Sequence, residues 1–95
     1  MTVTYPTHDM EDLFKAIGTL KSPTELANFF RDLMTIKELE DMSLRWRIAK
    51  LLDKKIPYLE IAKQCSVSTT TVTRVALWLY HGQNGYRTAL SHLKK

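Results

Sequence analysis

Apolar residues in this chain recur at helical spacing, three and four apart, and no segment alternates as a half-buried strand would. Met10, Leu13, Phe14, Ile17 and Leu20 mark a first helix, weakened near its end by Gly18. Ser22-Pro23-Thr24-Glu25 then reads as a helix start, with a serine N-cap, a proline at the first helical position and a glutamate able to reach back. The helix that follows carries Leu26, Phe29, Phe30, Leu33 and Met34 on one face. Thr35-Ile36-Lys37-Glu38 repeats the capping-box arrangement and opens a longer third helix. Lys54-Lys55 would close it, with cations favoured in the last turn by the helix dipole.

The third helix is apolar along two lines, Ile36, Leu39, Met42, Trp46 and Ala49 on one and Leu44, Ile48, Leu51 and Leu52 on the other. A helix apolar on two sides needs partners on two sides. In 95 residues that surplus points to a dimer with a shared core. The alternative is a monomer in which the short C-terminal helices cover the second side. Trp46, Trp78 and Tyr80 are read as core packing rather than as a partner surface.

Pro57 interrupts the pattern, and the stretch after it has the layout of a helix-turn-helix at about residues 57 to 81. Ile61 and Ala62 are the buried candidates of its first helix, and the small Ala62 allows a close crossing. Val67 is an apolar plug in the turn, Ser68 caps the second helix, and Val72, Val75 and Ala76 continue its inner face. Gly82 to Gly85 form a turn, and Tyr86 to Leu93 a last helix with Tyr86, Ala89, Leu90 and Leu93 inward. The predicted organisation is a single all-α domain: a helical dimerisation core at 1–54, the helix-turn-helix at 56–81 and a C-terminal helix at 86–93.

The exposed face of the second helix of the motif is then Thr69, Thr70, Thr71, Thr73 and Arg74. Consecutive threonines form helix poorly, because β-branched side chains lose rotamer freedom. Their hydroxyls can bind phosphate oxygens or base edges, and their methyls can pack on thymine methyls. That function outweighs the bland alternative of a helix start that tolerates threonine.

Charge changes the picture in the same direction. The net +4 divides into −2 over residues 1–53 and +6 over 54–95, where Glu60 is the one acid. A cationic half suits a polyanion, since each neutralised phosphate releases counterions. Lys63, with Lys54, Lys55 and Arg87, is a candidate for phosphates. The start of the chain lacks a basic, apolar leader and no stretch approaches a membrane span, so a cytoplasmic protein with no membrane partner is expected. Cys65 has no second cysteine to pair with and reads as small apolar filler in the turn. His8, His81 and His92 are scattered, with no metal-ligand spacing, paired carboxylates or glycine-rich phosphate loop. These absences argue against an enzyme and against a metal or other cofactor.

Three segments have a more specific look: Leu33-Met34-Thr35-Ile36-Lys37-Glu38-Leu39, then Arg45-Trp46-Arg47-Ile48-Ala49-Lys50-Leu51-Leu52, then Val72-Thr73-Arg74-Val75 with Gly85-Tyr86 beyond. On these the chain, from Phe29 onward, resembles the tryptophan repressor superfamily, and within it the YerC/YecD branch. The resemblance implies a six-helix fold with a helix-turn-helix, an intertwined homodimer, and a transcriptional repressor of double-stranded DNA. The positions matching those that touch DNA in the family are Lys63, Ser68, Thr69, Thr70, Thr71 and Thr73.

The resemblance also implies a tryptophan pocket, with two arginines and a threonine matched by Arg45, Arg74 and Thr35. Three other pocket positions depart from the pattern: Val75 replaces a glycine, Trp78 a serine and Asp32 a leucine. The turn is one residue shorter than in the tryptophan repressor itself. Val75 and Trp78 are expected to crowd the indole space, with Trp78 able to fill it. The pocket is therefore read as vestigial, tryptophan as unused, and any other effector as open.

Overall fold

The computed structural model describes residues 4–94 and contains six α-helices, with no strand among the described residues. These are α1 (His8–Gly18), α2 (Pro23–Leu33), α3 (Ile36–Asp53), α4 (Tyr58–Cys65), α5 (Thr69–His81) and α6 (Gly85–Leu93). The chain divides into two compact units, Met1–Leu39 and Glu40–Lys95, with the division inside α3.

In the first unit the helix starts are set by side-chain caps. The Thr7 hydroxyl accepts the Met10 amide at 3.2 Å, and the Ser22 hydroxyl accepts the Glu25 amide at 3.1 Å. Glu25 reaches back, accepting the Lys21 amide at 3.2 Å. Thr35 and Glu38 form a reciprocal capping box: the Thr35 hydroxyl accepts the Glu38 amide at 3.1 Å, and Glu38 Oε1 accepts the Thr35 amide at 2.9 Å. That amide, helped by the hydroxyl, holds the Glu38 carboxyl below its ordinary titration range. None of the described residues of this unit is buried, and Phe14, Leu33 and Ile36 are each about half exposed.

The second unit holds the core. Ile48, Ala49 and Leu52 of α3 meet Ile61 and Cys65 of α4, Val72, Val75, Ala76 and Leu79 of α5, and Leu90 of α6. Ile48, Leu52, Ile61 and Val72 are fully buried, each contributing about 1.5–3 kcal/mol of burial free energy. Cys65 is a free thiol within this cluster, consistent with its reading as apolar filler. α3 ends one residue earlier than the lysine pair suggests. Lys54 and Lys55 lie in the turn beyond, where the Ile56 amide donates to the Leu51 carbonyl and the Lys55 amide to that of Leu52. Lys55 itself is left-handed, at φ 65°, a position usually given to glycine.

Several aromatic and apolar side chains do not pack as their spacing predicts. Trp78 is 61% exposed and Tyr80 38%, so neither is a core residue. Trp46 is half-buried and stacks on Tyr86 at 6.3 Å, tying α3 to α6. In α6 only Leu90 is buried; Ala89 and Leu93 face outward and Tyr86 is half-buried. A nine-residue helix meets the core with one turn's worth of side chains, Leu90 buried and Tyr86 half-covered by Trp46.

Candidate nucleic-acid interface

α4 and α5 are joined by Ser66, Val67 and Ser68, a tight turn whose geometry follows from three backbone facts. Ser66 is left-handed (φ 54°, ψ 46°), which reverses the chain at the end of α4. Its amide donates to the Lys63 carbonyl at 3.3 Å and that of Val67 to the Ala62 carbonyl at 3.0 Å. Ser68 is extended, and its hydroxyl accepts the Thr71 amide at 3.2 Å to open α5. Val67 and Ala62 are half-buried and pack against the core as the plug and the crossing point of the motif.

The core side of α5 is Val72, Val75, Ala76 and Leu79, so at 100° per residue Thr70 and Arg74 point directly outward with Thr69 and Thr73 on the flank. Ser68, Thr69, Thr70, Thr73 and Arg74 are exposed, as is Lys63 on the last turn of α4. Thr71 departs from the sequence reading. It is half-buried, with its hydroxyl 3.2 Å from the Ser68 hydroxyl, and belongs to the cap rather than to the open face. The Thr73 hydroxyl donates to the Thr69 carbonyl at 2.9 Å, leaving its methyl and its acceptor lone pairs free. The accessible row is thus Thr69, Thr70 and Thr73, flanked by Lys63 and Arg74.

Arg87, a candidate for phosphate, is engaged within the fold. Its Nε donates to the Leu79 carbonyl at 3.0 Å, and its guanidinium lies 5.6 Å from the centre of the Tyr80 ring. Lys55 Nζ stands 5.8 Å from the same ring, so Tyr80 has two cations over it.

Arg45 and Arg74 are brought together along one groove of about 380 Å³, lined also by Val75, Trp78 and Tyr86. Trp78, expected with Val75 to crowd the indole space, is 61% exposed and forms a wall of this groove beside Val75. A second, more apolar groove of about 410 Å³ runs along Trp46, Trp78, Gly82, Gln83, Gly85, Tyr86 and Ala89. Gly82 is fixed there by sterics: a Cβ would collide with the Trp78 carbonyl oxygen. Spacing gave no signal for Trp46 and Tyr86 as groove walls, since their pairing depends on how α6 folds back. Thr35 lies in the first unit, its hydroxyl committed to the capping box. Among the described residues, no group of three or more His, Cys, Asp or Glu is placed to hold a metal ion. No helix among them is long and apolar enough to cross a membrane.

The family model described as Trp repressor protein matches residues 8–94. The chain belongs to the Trp repressor family. Among its relatives is the uncharacterised protein YerC of Bacillus subtilis strain 168, 33% identical over 87 residues that cover 92% of this chain and 84% of that one. The crystal structure of a TrpR-like protein from Eubacterium eligens superposes with a TM-score of 0.86 at 38% identity, covering 94% of this chain and 92% of the other. That of a candidate Trp repressor from Staphylococcus aureus gives 0.84 at 32% identity, covering 93% and 88%. The six-helix fold expected from the resemblance is therefore that of the family, and the YerC likeness read from the three segments is borne out.

Proposed function

We propose that this chain is a sequence-specific DNA-binding regulator of transcription, a repressor that acts as a homodimer on double-stranded DNA. The observation that carries this reading is the outward row Thr69, Thr70 and Thr73 on α5, beside Lys63 and Arg74 in the cationic half of the chain. A helix entering the major groove with its N-terminal turns reads base edges through side chains of this size, while flanking cations hold phosphates and set the register. Family membership supports the same assignment.

The dimer accounts for the first unit. Its helices bury no described residue on their own, although Phe14, Leu33 and Ile36 present an apolar surface. A second copy that interlocks with these helices supplies the missing cover. Two recognition helices related by a twofold axis then meet an inverted repeat, with half-sites about one helical turn apart.

Control is assigned to something other than L-tryptophan. Arg45 and Arg74 could meet a carboxylate, but Val75 and Trp78 line the same groove, in place of the smaller residues of the family pattern. The protein needs no metal or cofactor for this role and performs no catalysis.

Exposed Trp78 favours one other reading, in which the fold serves as a protein-interaction module without DNA binding. Chromatography on immobilised random duplex DNA separates the two. A DNA binder is retained and released by salt with a steep dependence, whereas an interaction module elutes at low salt.

A further inference from the structure

Gly82, Gln83 and Asn84 connect α5 to α6, and Gln83, Asn84 and Gly85 are exposed. Asn84 is left-handed, at φ 64° and ψ 11°, a conformation that asparagine tolerates better than most residues. It stands at the N-cap of α6, yet its side chain makes no capping hydrogen bond. Its carboxamide has no partner among the described residues.

Gly85 differs from Gly82 in what requires it. It is not left-handed, and a Cβ built on it would meet nothing within 4 Å. Neither backbone angle nor space calls for glycine at the first position of α6. What glycine supplies there is an uncovered amide. No side chain shields the nitrogen, and at the start of a helix its N–H has no carbonyl one turn back to bond.

We infer that Asn84-Gly85 is a self-modification site, at which Asn84 loses ammonia and becomes aspartate or isoaspartate, with water as co-reactant. Solvent hydroxide takes the Gly85 amide proton, and the nitrogen attacks Asn84 Cγ. The new N–Cγ bond closes a cyclic imide as the Cγ–Nδ2 bond breaks, and the leaving nitrogen takes a proton and departs as ammonia. Water then opens the imide. Cleavage between the nitrogen and Cγ gives aspartate; cleavage between the nitrogen and the main-chain carbonyl carbon gives isoaspartate. The sum is asparagine plus water to acid plus ammonia, with nothing oxidised or reduced. At ψ 11° the reacting atoms are not aligned for closure, so the step runs from a locally opened turn. That turn is held by the bond from the Thr88 amide to the Asn84 carbonyl, 2.9 Å.

The two products act differently on α6. Aspartate keeps the main chain and adds an acid at the positive end of a helix that has none in its first turn. Isoaspartate routes the main chain through Cβ and Cγ, lengthens it by an atom, and turns the carbonyl that accepts the Thr88 amide into a pendant carboxylate. The entry to α6 then loosens, and with it the stacking of Tyr86 on Trp46 and the bond from Arg87 to the Leu79 carbonyl. The modification is independent of the DNA-binding reading.

The test incubates the full chain at physiological temperature in buffers from neutral to mildly alkaline, digests it with trypsin and weighs the peptides. Val75–Arg87 should gain the mass of an amide-to-acid exchange, divided between aspartate and isoaspartate forms, at a rate that rises with pH. Ser22–Arg31 should not. It holds Asn28, the other asparagine of the chain, which is exposed but lies inside α2 before the bulky Phe29. Gly85→Ala, for which there is room, should melt like the native protein and convert at least several-fold more slowly. Aged protein enriched in isoaspartate should melt below fresh protein, and Asn84→Asp should not.

An unchanged mass for Val75–Arg87 overturns the inference, as does conversion of Asn28 as fast as Asn84. Conversion without isoaspartate overturns the cyclic route, and so does a folded Gly85→Ala variant that converts at the native rate. If Gly85→Ala does not fold, the pH dependence and site selectivity of the native chain decide: a rate flat in pH contradicts attack by the amide nitrogen.

Discussion

The Ser68 hydroxyl accepts the Thr71 backbone amide at 3.2 Å, and the same oxygen lies 3.2 Å from the Thr71 hydroxyl. This pair starts α5 at Thr69 and so fixes which threonines point outward. Ser68→Ala is expected to cost about 1 kcal/mol, the ordinary worth of an N-cap. In a chain of this size that is a fall in melting temperature of about 4–8 °C. Ser68→Asp should keep the stability, because its carboxylate caps equally well, and lose DNA affinity by placing a negative charge at the groove. Thermal melting and duplex titration of both variants check the two effects separately.

Thr70 and Lys63 are expected to fail differently. Thr70 points straight out of α5, so Thr70→Ala should cost about 1–3 kcal/mol at one base position and little elsewhere. Lys63→Ala should weaken all duplexes alike and make the log–log salt slope shallower by about 0.9 for one phosphate lost. Competition against single-base variants of a selected site reads both. A uniform loss across sequences from Thr70→Ala would remove this residue from base readout.

Glu38 gives the pH dependence. Its carboxylate accepts the Thr35 amide and is further favoured by the Thr35 hydroxyl, which lowers its pKa on folding. A carboxyl with a depressed folded pKa adds stability above its unfolded value and loses it as pH falls through the folded one. The start of α3 should therefore loosen on acidification below the usual glutamate range and not at neutral pH. A carboxyl-carbon NMR titration should place Glu38 below an unstructured glutamate, and Thr35→Ala should move it back part of the way. Titration of Glu38 at or above the unstructured value would contradict the capping box.

L-tryptophan is expected not to bind. The two arginines that resemble the family's pocket do line one groove, but Val75 and Trp78 line it as well. Isothermal titration calorimetry of the full chain with L-tryptophan should show no saturable heat up to about millimolar concentration, where binding is worth only about 4 kcal/mol. Saturation in the micromolar range would overturn the assignment.

Much of this architecture was legible because helix boundaries are local. Ser22 with Pro23, Thr35 with Glu38, and Ser68 each announced a start that the hydrogen bonds bear out. Periodicity was weaker for burial. It places Tyr86, Ala89, Leu90 and Leu93 on one side of α6 without saying whether anything lies against that side, and Leu90 alone of the four is buried. Trp78 shares this limit, since an aromatic at helical spacing looks like core whether it faces a protein interior or an open groove. Thr71 was misplaced for a different reason: a hydroxyl near a helix start serves the cap as readily as a ligand, and four hydroxyl-bearing residues in a row conceal which one does so. The left-handed Lys55 left no trace, because glycine is the usual signal for that conformation.

Selection of bound sites from a random duplex pool tests the central claim most directly. The account predicts enrichment of an inverted repeat whose half-sites lie about one helical turn apart. It also predicts that Thr70→Ala relaxes one symmetric pair of positions within that repeat. A pool that emerges from selection with no enriched sequence, or with a single unrepeated half-site, would contradict a dimeric, sequence-reading α5.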